Sequence, residues 1–333
     1  MTYRLGILDK VPISEGQDAA EAFRQSLALA QRADELGYHR YWFAEHHASS
    51  ALASAAPETA AAFVLARTSR IRVGTGGVML QHYAPYKVAE TFNVLSALAP
   101  GRVDLGIGRA PGGLPFSTKA LRRGGGEGPA PDFDSKFAEL DAILDDALPE
   151  DHPIHGVRAS PRAPAPADRI LLGGSAESAE LAARHGWLFC YAGHFDGDPA
   201  RTAGVVDAYR AIAGRPPLLS IVAFAARTEE AAQRHVGALR LYRVKLSSGQ
   251  TVNLPTLDAA AEFARQAGGL TYETQEIRPG VLSGTAAQVR AGLDRLHGDL
   301  GIEEFIIDTP VTGFAERLAS LEGLIGVKHA AAA

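Results

Sequence analysis

The chain has 333 residues, 46 % hydrophobic and 21 % charged, which fits one large α/β domain or two ordinary ones and excludes a disordered or fibrous protein. Thirty-three Lys and Arg against 38 Asp and Glu give a formal charge of −5 without long single-sign blocks, so no electrostatic footprint for nucleic acid or an anionic membrane is present. Cys190 is the only cysteine, so an intramolecular disulfide is impossible; with an early charge at Arg4 and no stretch of membrane-helix length, a cytoplasmic protein acting on a small molecule is expected.

Eight β-like runs follow one another: YRLGILD, HRYWFA, RIRVGTGGVML, GRVDLGIG, DRILLGG, GWLFCYA, PLLSIVAFAA and EEFIIDT. Helical spacing fills most of the gaps between them. Residues 18–36 carry Ala19, Ala22, Phe23, Ser26, Leu27, Ala30, Ala33 and Asp34 along one side and stop at Gly37, as a helix with a glycine C-cap does. Repeated βα units imply parallel strands, and eight of them predict an α/β protein of the (β/α)8 TIM-barrel type, one domain over 1–333, with a doubly wound sheet as the alternative. The surplus length falls in two insertions. Residues 110–132, rich in Gly and Pro, read as a long loop after the fourth strand, and residues 243–284 as a second insertion before the last helix and strand. Helices expected at 57–68 and 85–98 are apolar on more than one side, so either a second subunit or an inserted loop covers them.

Reactive groups of a barrel sit at the C-terminal ends of its strands, where Glu45, His46 and His47 follow HRYWFA. Alternation sends Glu45 and His47 to one side and His46 to the other, so adjacent histidines do not chelate one ion, and neither HExxH nor paired cysteines occur; no metal site is expected. His46 and His47 are the candidate catalytic residues. In DLGIGRAPGG the dinucleotide fingerprint fails at Pro111, leaving Gly106 and Gly108 for close backbone approach and Arg109 for either a phosphate or a loop-bracing ion pair. In RILLGGSAESAELAARHG a strand ends, Gly173 and Gly174 turn the chain, and a helix opens near Ser175 to Ser178. Backbone N–H groups there suit an anion, although a plain N-cap would look the same.

RYWFAEHH, the block from SRIRVGTGG to GIGRAPG, and LLGGSAESAELAARHGWLFCYAGHF together resemble the bacterial-luciferase-like flavin monooxygenases, in order along most of the chain, and the single-chain members of natural-product pathways most of all. The resemblance implies a TIM barrel that binds FMN, a homodimer through the second and third helices, and oxygenation of a small molecule by reduced FMN and O2 through a flavin peroxide. The reduced FMN would come from a separate flavin reductase, and the 110–132 loop would act as a lid. By motif, His46 resembles the active-site histidine, Gly76, Gly77, Val78 and Met79 the bulge under the flavin ring, Gly108 and Arg109 a phosphate or ribityl contact, and Gly174, Ser175, Ala176, Glu177 and Ser178 the phosphate turn. Two alternatives stay open: deazaflavin-dependent hydride transfer, and flavin binding without turnover.

Overall fold

A computed structural model describes residues 2–123, 131–192 and 198–326. The first half runs β1 (Arg4–Asp9), α1 (Ala19–Leu36), β2 (Arg40–Phe43), α2 (Pro57–Leu65), β3 (Arg72–Thr75), β4 (Val78–Met79), α3 (Pro85–Leu98) and β5 (Val103–Gly108). It continues through α4 (Pro115–Leu121), α5 (Phe133–Leu144), β6 (Asp168–Gly173), α6 (Ala176–Arg184), β7 (Leu188–Tyr191), α7 (Pro199–Ala213) and β8 (Leu218–Ala226). The last part holds α8 (Glu229–Val236), β9 (Leu241–Leu246), β10 (Thr251–Leu254), α9 (Leu257–Gln266), β11 (Tyr272–Ile277), β12 (Val281–Thr285), α10 (Ala286–Leu300), β13 (Glu304–Asp308) and α11 (Phe314–Ile325).

Local chemistry explains the boundaries. The Asp18 carboxylate accepts the Glu21 N–H at 2.8 Å to open α1, and Gly37, at φ +81°, takes the left-handed conformation that closes it. Pro57 and Pro85 occupy the first turns of α2 and α3, where a missing N–H costs nothing.

The strand order β8-β13-β1-β2-β3-β5-β6-β7, with β7 returning to β8, closes a ring of eight parallel strands, a (β/α)8 TIM barrel. All eight are the runs read from the sequence. Alternation divides their side chains between two cores. Tyr41 and Phe43 point to the helix layer, whereas Trp42 and Ala44 join Leu8, Ile170, Cys190, Leu218 and Ile306 inside the barrel. Room for the Trp42 indole comes from glycine. A Cβ on Gly76 would lie 3.1 Å from the indole, and one on Gly106 would lie 1.9 Å from the Thr75 carbonyl oxygen. Gly106 therefore serves the close approach of β3 and β5.

Charge closes the N-terminal end. Arg40 pairs with Asp104 at 2.8 Å and Glu304 at 2.5 Å, Arg72 with Asp104 at 2.8 Å and Asp168 at 2.9 Å, and the Trp42 indole N–H donates to Asp104 at 2.7 Å. Such buried networks add little net stability over apolar packing, but removing one member strands its partners without water.

Both insertions carry more structure than expected. Residues 110–132 are not a continuous loop, because Pro115 starts α4 and Leu114 packs into a small core beyond it; residues 124–130 of the expected lid lie outside the described residues. Residues 243–284 hold the antiparallel sheet β10-β9-β11 and α9, joined by Val244, Leu246, Phe263 and Ala264. β12 lies parallel to the C-terminal half of β8. Phe63 on α2 and Val94 and Leu98 on α3 stay 42–73 % exposed, while Val64 is buried.

Candidate active site

A cavity of about 540 Å³ opens at the C-terminal end of the barrel. Strand ends supply most of its wall: Leu8 on β1 and Lys10 after it, Glu45 and His46 after β2, Gly76 and Gly77 between β3 and β4, Gly108 and Arg109 at β5, Gly173 and Gly174 at β6, Tyr191 on β7 and Asp308 on β13. Ser220 adds a group from within β8, Arg201 one from α7, and Arg243 and Asn253 belong to the inserted sheet.

Of the residues singled out by sequence, His46 lines this cavity and His47 does not. The reason is the fold of the chain beyond β2. His47 N–H donates to the Gly112 carbonyl at 2.7 Å, and its Nε2–H donates to Glu45 Oε1 at 2.6 Å, which turns the ring under the loop after β5. Glu45, fully buried, also accepts from the Tyr83 hydroxyl at 2.8 Å and, through Oε2, from the Met79 N–H at 3.0 Å. One carboxylate thus ties the end of β2 to β4, to the turn before α3 and to His47. The expected placement of Glu45 and His47 on one side is what permits their contact.

His46 is held by its backbone, with N–H to Ser54 O at 2.9 Å, while its Nδ1 stands 3.4 Å from Ser54 Oγ. Nε2 has no partner among the described residues. Burial, helped by the Lys10 ammonium, lowers its pKa to about 4, so the imidazole is neutral at pH 7. Lys10 itself is paired with Asp308 at 2.7 Å.

Gly76, Gly77, Met79 and Gly108 line the cavity; Val78 points into the helix-side core, because β4 pairs with Ile107 of β5 and strand alternation turns it away. Arg109 makes a bracing pair, donating to Asp134 at 2.5 Å with its guanidinium 4.6 Å above the Phe133 ring, and it also lines the cavity. Gly174, Ser175 and Ser178 line it; Ala176 and Glu177 do not, since the first turn of α6 carries them outward. Ser175 caps α6 by accepting the Ser178 N–H at 3.4 Å. The exposed Glu177 carboxyl is held below its ordinary pKa by its own backbone N–H and the Ser175 hydroxyl, with Arg109 and Arg201 further lowering it. A Cβ added to Gly174 would meet nothing within 4 Å, so the helix N-terminus faces open space.

Several wall residues were not singled out in the sequence. Lys10 and Asp308 stand at strand C-termini, a position that would have flagged them. Arg201, Arg243 and Asn253 carry no such signal, since α7 and the inserted sheet reach the cavity only through tertiary packing. No group of three or more His, Cys, Asp or Glu side chains with metal-binding geometry occurs among the described residues.

A parallel barrel whose strand ends surround a cavity, with glycines in its wall and a capped helix N-terminus beside it, has the architecture of a TIM-barrel enzyme. Residues 3–304 match the luciferase-like monooxygenase family, and the chain belongs to it. It is 39 % identical over 326 residues to the N-acetyl-S-alkylcysteine monooxygenase of Bacillus subtilis, covering 96 % of each chain. The crystal structure of apo-MsnO8 superposes with a TM-score of 0.75 at 35 % identity and 98 % coverage of both chains. The oxygenating constituent of 3,6-diketocamphane monooxygenase from Pseudomonas putida, a type II Baeyer–Villiger monooxygenase solved with FMN, shares the fold with a TM-score of 0.67 at 17 % identity, covering 98 % of both chains. No described helix is long and apolar enough to cross a membrane.

Proposed function

We propose that this chain is an FMN-dependent monooxygenase that takes reduced FMN from a separate reductase and inserts one atom of O2 into a small organic substrate. The observation that carries the reading is the cavity itself, with an open helix N-terminus at Gly174 on one side and a side-chain-free floor at Gly76, Gly77 and Gly108. Ser175, Ser178, Arg201 and Arg109 would hold the flavin phosphate, since hydroxyls, N-terminal amides and guanidinium groups all favour an anion. Gly76, Gly77, Met79 and Gly108 would bed the ring. Reduced FMN, when bound, supplies the activation of O2. His46 acts as a neutral imidazole: with Nδ1 toward Ser54, Nε2 is the atom that exchanges a hydrogen bond or a proton with the reacting groups.

The similarity to an N-acetyl-S-alkylcysteine monooxygenase makes N-acetylated S-alkylcysteines the first substrates to test. A homodimer that buries Phe63, Val94 and Leu98 accounts for the exposed apolar surface of α2 and α3.

The test is an anaerobic titration with reduced FMN, followed by mixing with ¹⁸O₂ and N-acetyl-S-methylcysteine and mass analysis of the product. Micromolar flavin affinity and a product carrying one labelled oxygen are expected. If neither redox form of FMN binds below millimolar concentration while deazaflavin does, hydride transfer replaces this reading. Flavin binding with no oxygenated product from any tested acid would point to a carrier instead.

A further inference from the structure

Arg243 on β9 and Asn253 on β10 are opposite one another in the antiparallel register, and both line the cavity. Alternation turns Val244 and Leu246 into the core beneath α9, which leaves Arg243 and Asn253 on the other face of the sheet. Neither side chain has a hydrogen-bond or ion-pair partner among the described residues. The other cations of the wall differ: Lys10 is paired with Asp308 at 2.7 Å, Arg109 with Asp134 at 2.5 Å, and Arg201 has an interaction of its own. The neighbours of Arg243 along its row do not neutralise it, since Gln275 is the residue across on β11 and the nearby Glu276 pairs with Arg240 at 3.0 Å.

A guanidinium keeps its charge at any working pH, and a half-buried one without a counter-ion favours an incoming anion. Its planar fork matches a carboxylate, and an adjacent amide adds a donor to the same group.

We propose that Arg243 and Asn253 bind the carboxylate of the substrate, so that this enzyme selects small carboxylic acids over their esters. This rests on the reading of the cavity as a monooxygenase site and deepens it: the inserted sheet is the element that reads the substrate, while the barrel and α6 hold the cofactor. The flavin phosphate, the other anion of such a site, has its own donors at α6.

The experiment is calorimetric binding of N-acetyl-S-methylcysteine and of its methyl ester to the full chain, compared among wild type, R243M, R243K and N253A, with FMN affinity measured on each. The acid should bind wild type at least about tenfold more tightly than the ester. R243M should weaken the acid by about 10- to 100-fold, leave the ester unchanged and so erase the preference. R243K, which keeps charge and bulk should R243M fail to fold, should retain part of the preference, and N253A should lose about two- to tenfold. Flavin affinity should stay unchanged in all three. Wild type that does not prefer the acid, including one that binds neither compound, overturns the proposal; so does R243M that keeps the preference, or that loses flavin instead. Acid preference that depends on Arg243 in a protein unable to bind FMN would sustain the carboxylate site and overturn the cofactor assignment.

Discussion

Replacing Glu45 by Gln removes little volume but changes what the cavity rim can accept. Oε1 of Glu45 takes hydrogen bonds from Tyr83 at 2.8 Å and His47 at 2.6 Å, and Oε2 takes one from the Met79 N–H at 3.0 Å. An amide accepts through one atom only. With its oxygen toward Tyr83 and His47, its NH2 group confronts the Met79 N–H; turned round, it abandons two donors to rescue one. A buried donor left without an acceptor costs about 1–3 kcal/mol, and the two remaining bonds weaken without the charge, so a loss of roughly 2–4 kcal/mol is expected. For a chain of this size that is a fall in melting temperature of roughly 3–6 °C. The assay is thermal unfolding monitored by circular dichroism, with oxidised-FMN affinity measured alongside, because Met79 lines the cavity and a loosened β4 should weaken the flavin. E45A should cost more, since it strands all three donors. A melting temperature for E45Q within about 1 °C of wild type would show that the three contacts do not support the fold.

His46 makes a linkage prediction. Its pKa is about 4 in the fold against an ordinary 6.5, so the unfolded chain binds the proton first, and stability present above pH 6.5 is lost as the pH falls from 6.5 to 4. His46→Asn should abolish up to about 3 kcal/mol of that acid sensitivity, read from urea unfolding at pH 7 and pH 4.5; parallel pH dependence in variant and wild type would contradict it. Gly174→Leu meets no atom within 4 Å at Cβ, so stability should change by less than about 0.5 kcal/mol while FMN affinity drops at least about tenfold; unchanged affinity would move the phosphate elsewhere. Phe63→Asp, on the exposed face of α2, should convert a dimer to monomers in analytical ultracentrifugation, and a wild-type chain that is already monomeric would remove the interface.

The barrel strands were readable because each is a short apolar run bounded by Gly, Pro or charge, and period-2 alternation within RYWF already separates Trp42 from Tyr41 and Phe43. The turn from β6 into α6 was readable for a similar reason: strand, two glycines and a Ser-capped helix are all local signals. The place of His47 outside the cavity lining was not readable, because it depends on Gly112, more than sixty residues away, and adjacency to His46 carries no information about that contact. Arg243 and Asn253 were invisible for a different reason. β9 to β11 alternate polar and apolar residues weakly, and β11 is almost entirely exposed, so the insertion shows little periodicity until Phe263 and Leu114 are seen to share its core.

The glycine-made space inside the barrel gives the molecule a built-in optical probe. The chain has two tryptophans: Trp42, whose ring supports Gly76 at the cavity floor, and Trp187, packed 4.5 Å from Phe137 in the helix layer. Trp187→Phe would leave a single indole, directly beneath the bed proposed for the flavin ring and hydrogen-bonded to Asp104 below. Its emission would then follow the filling of the cavity from inside the protein, with no added label and no dependence on turnover.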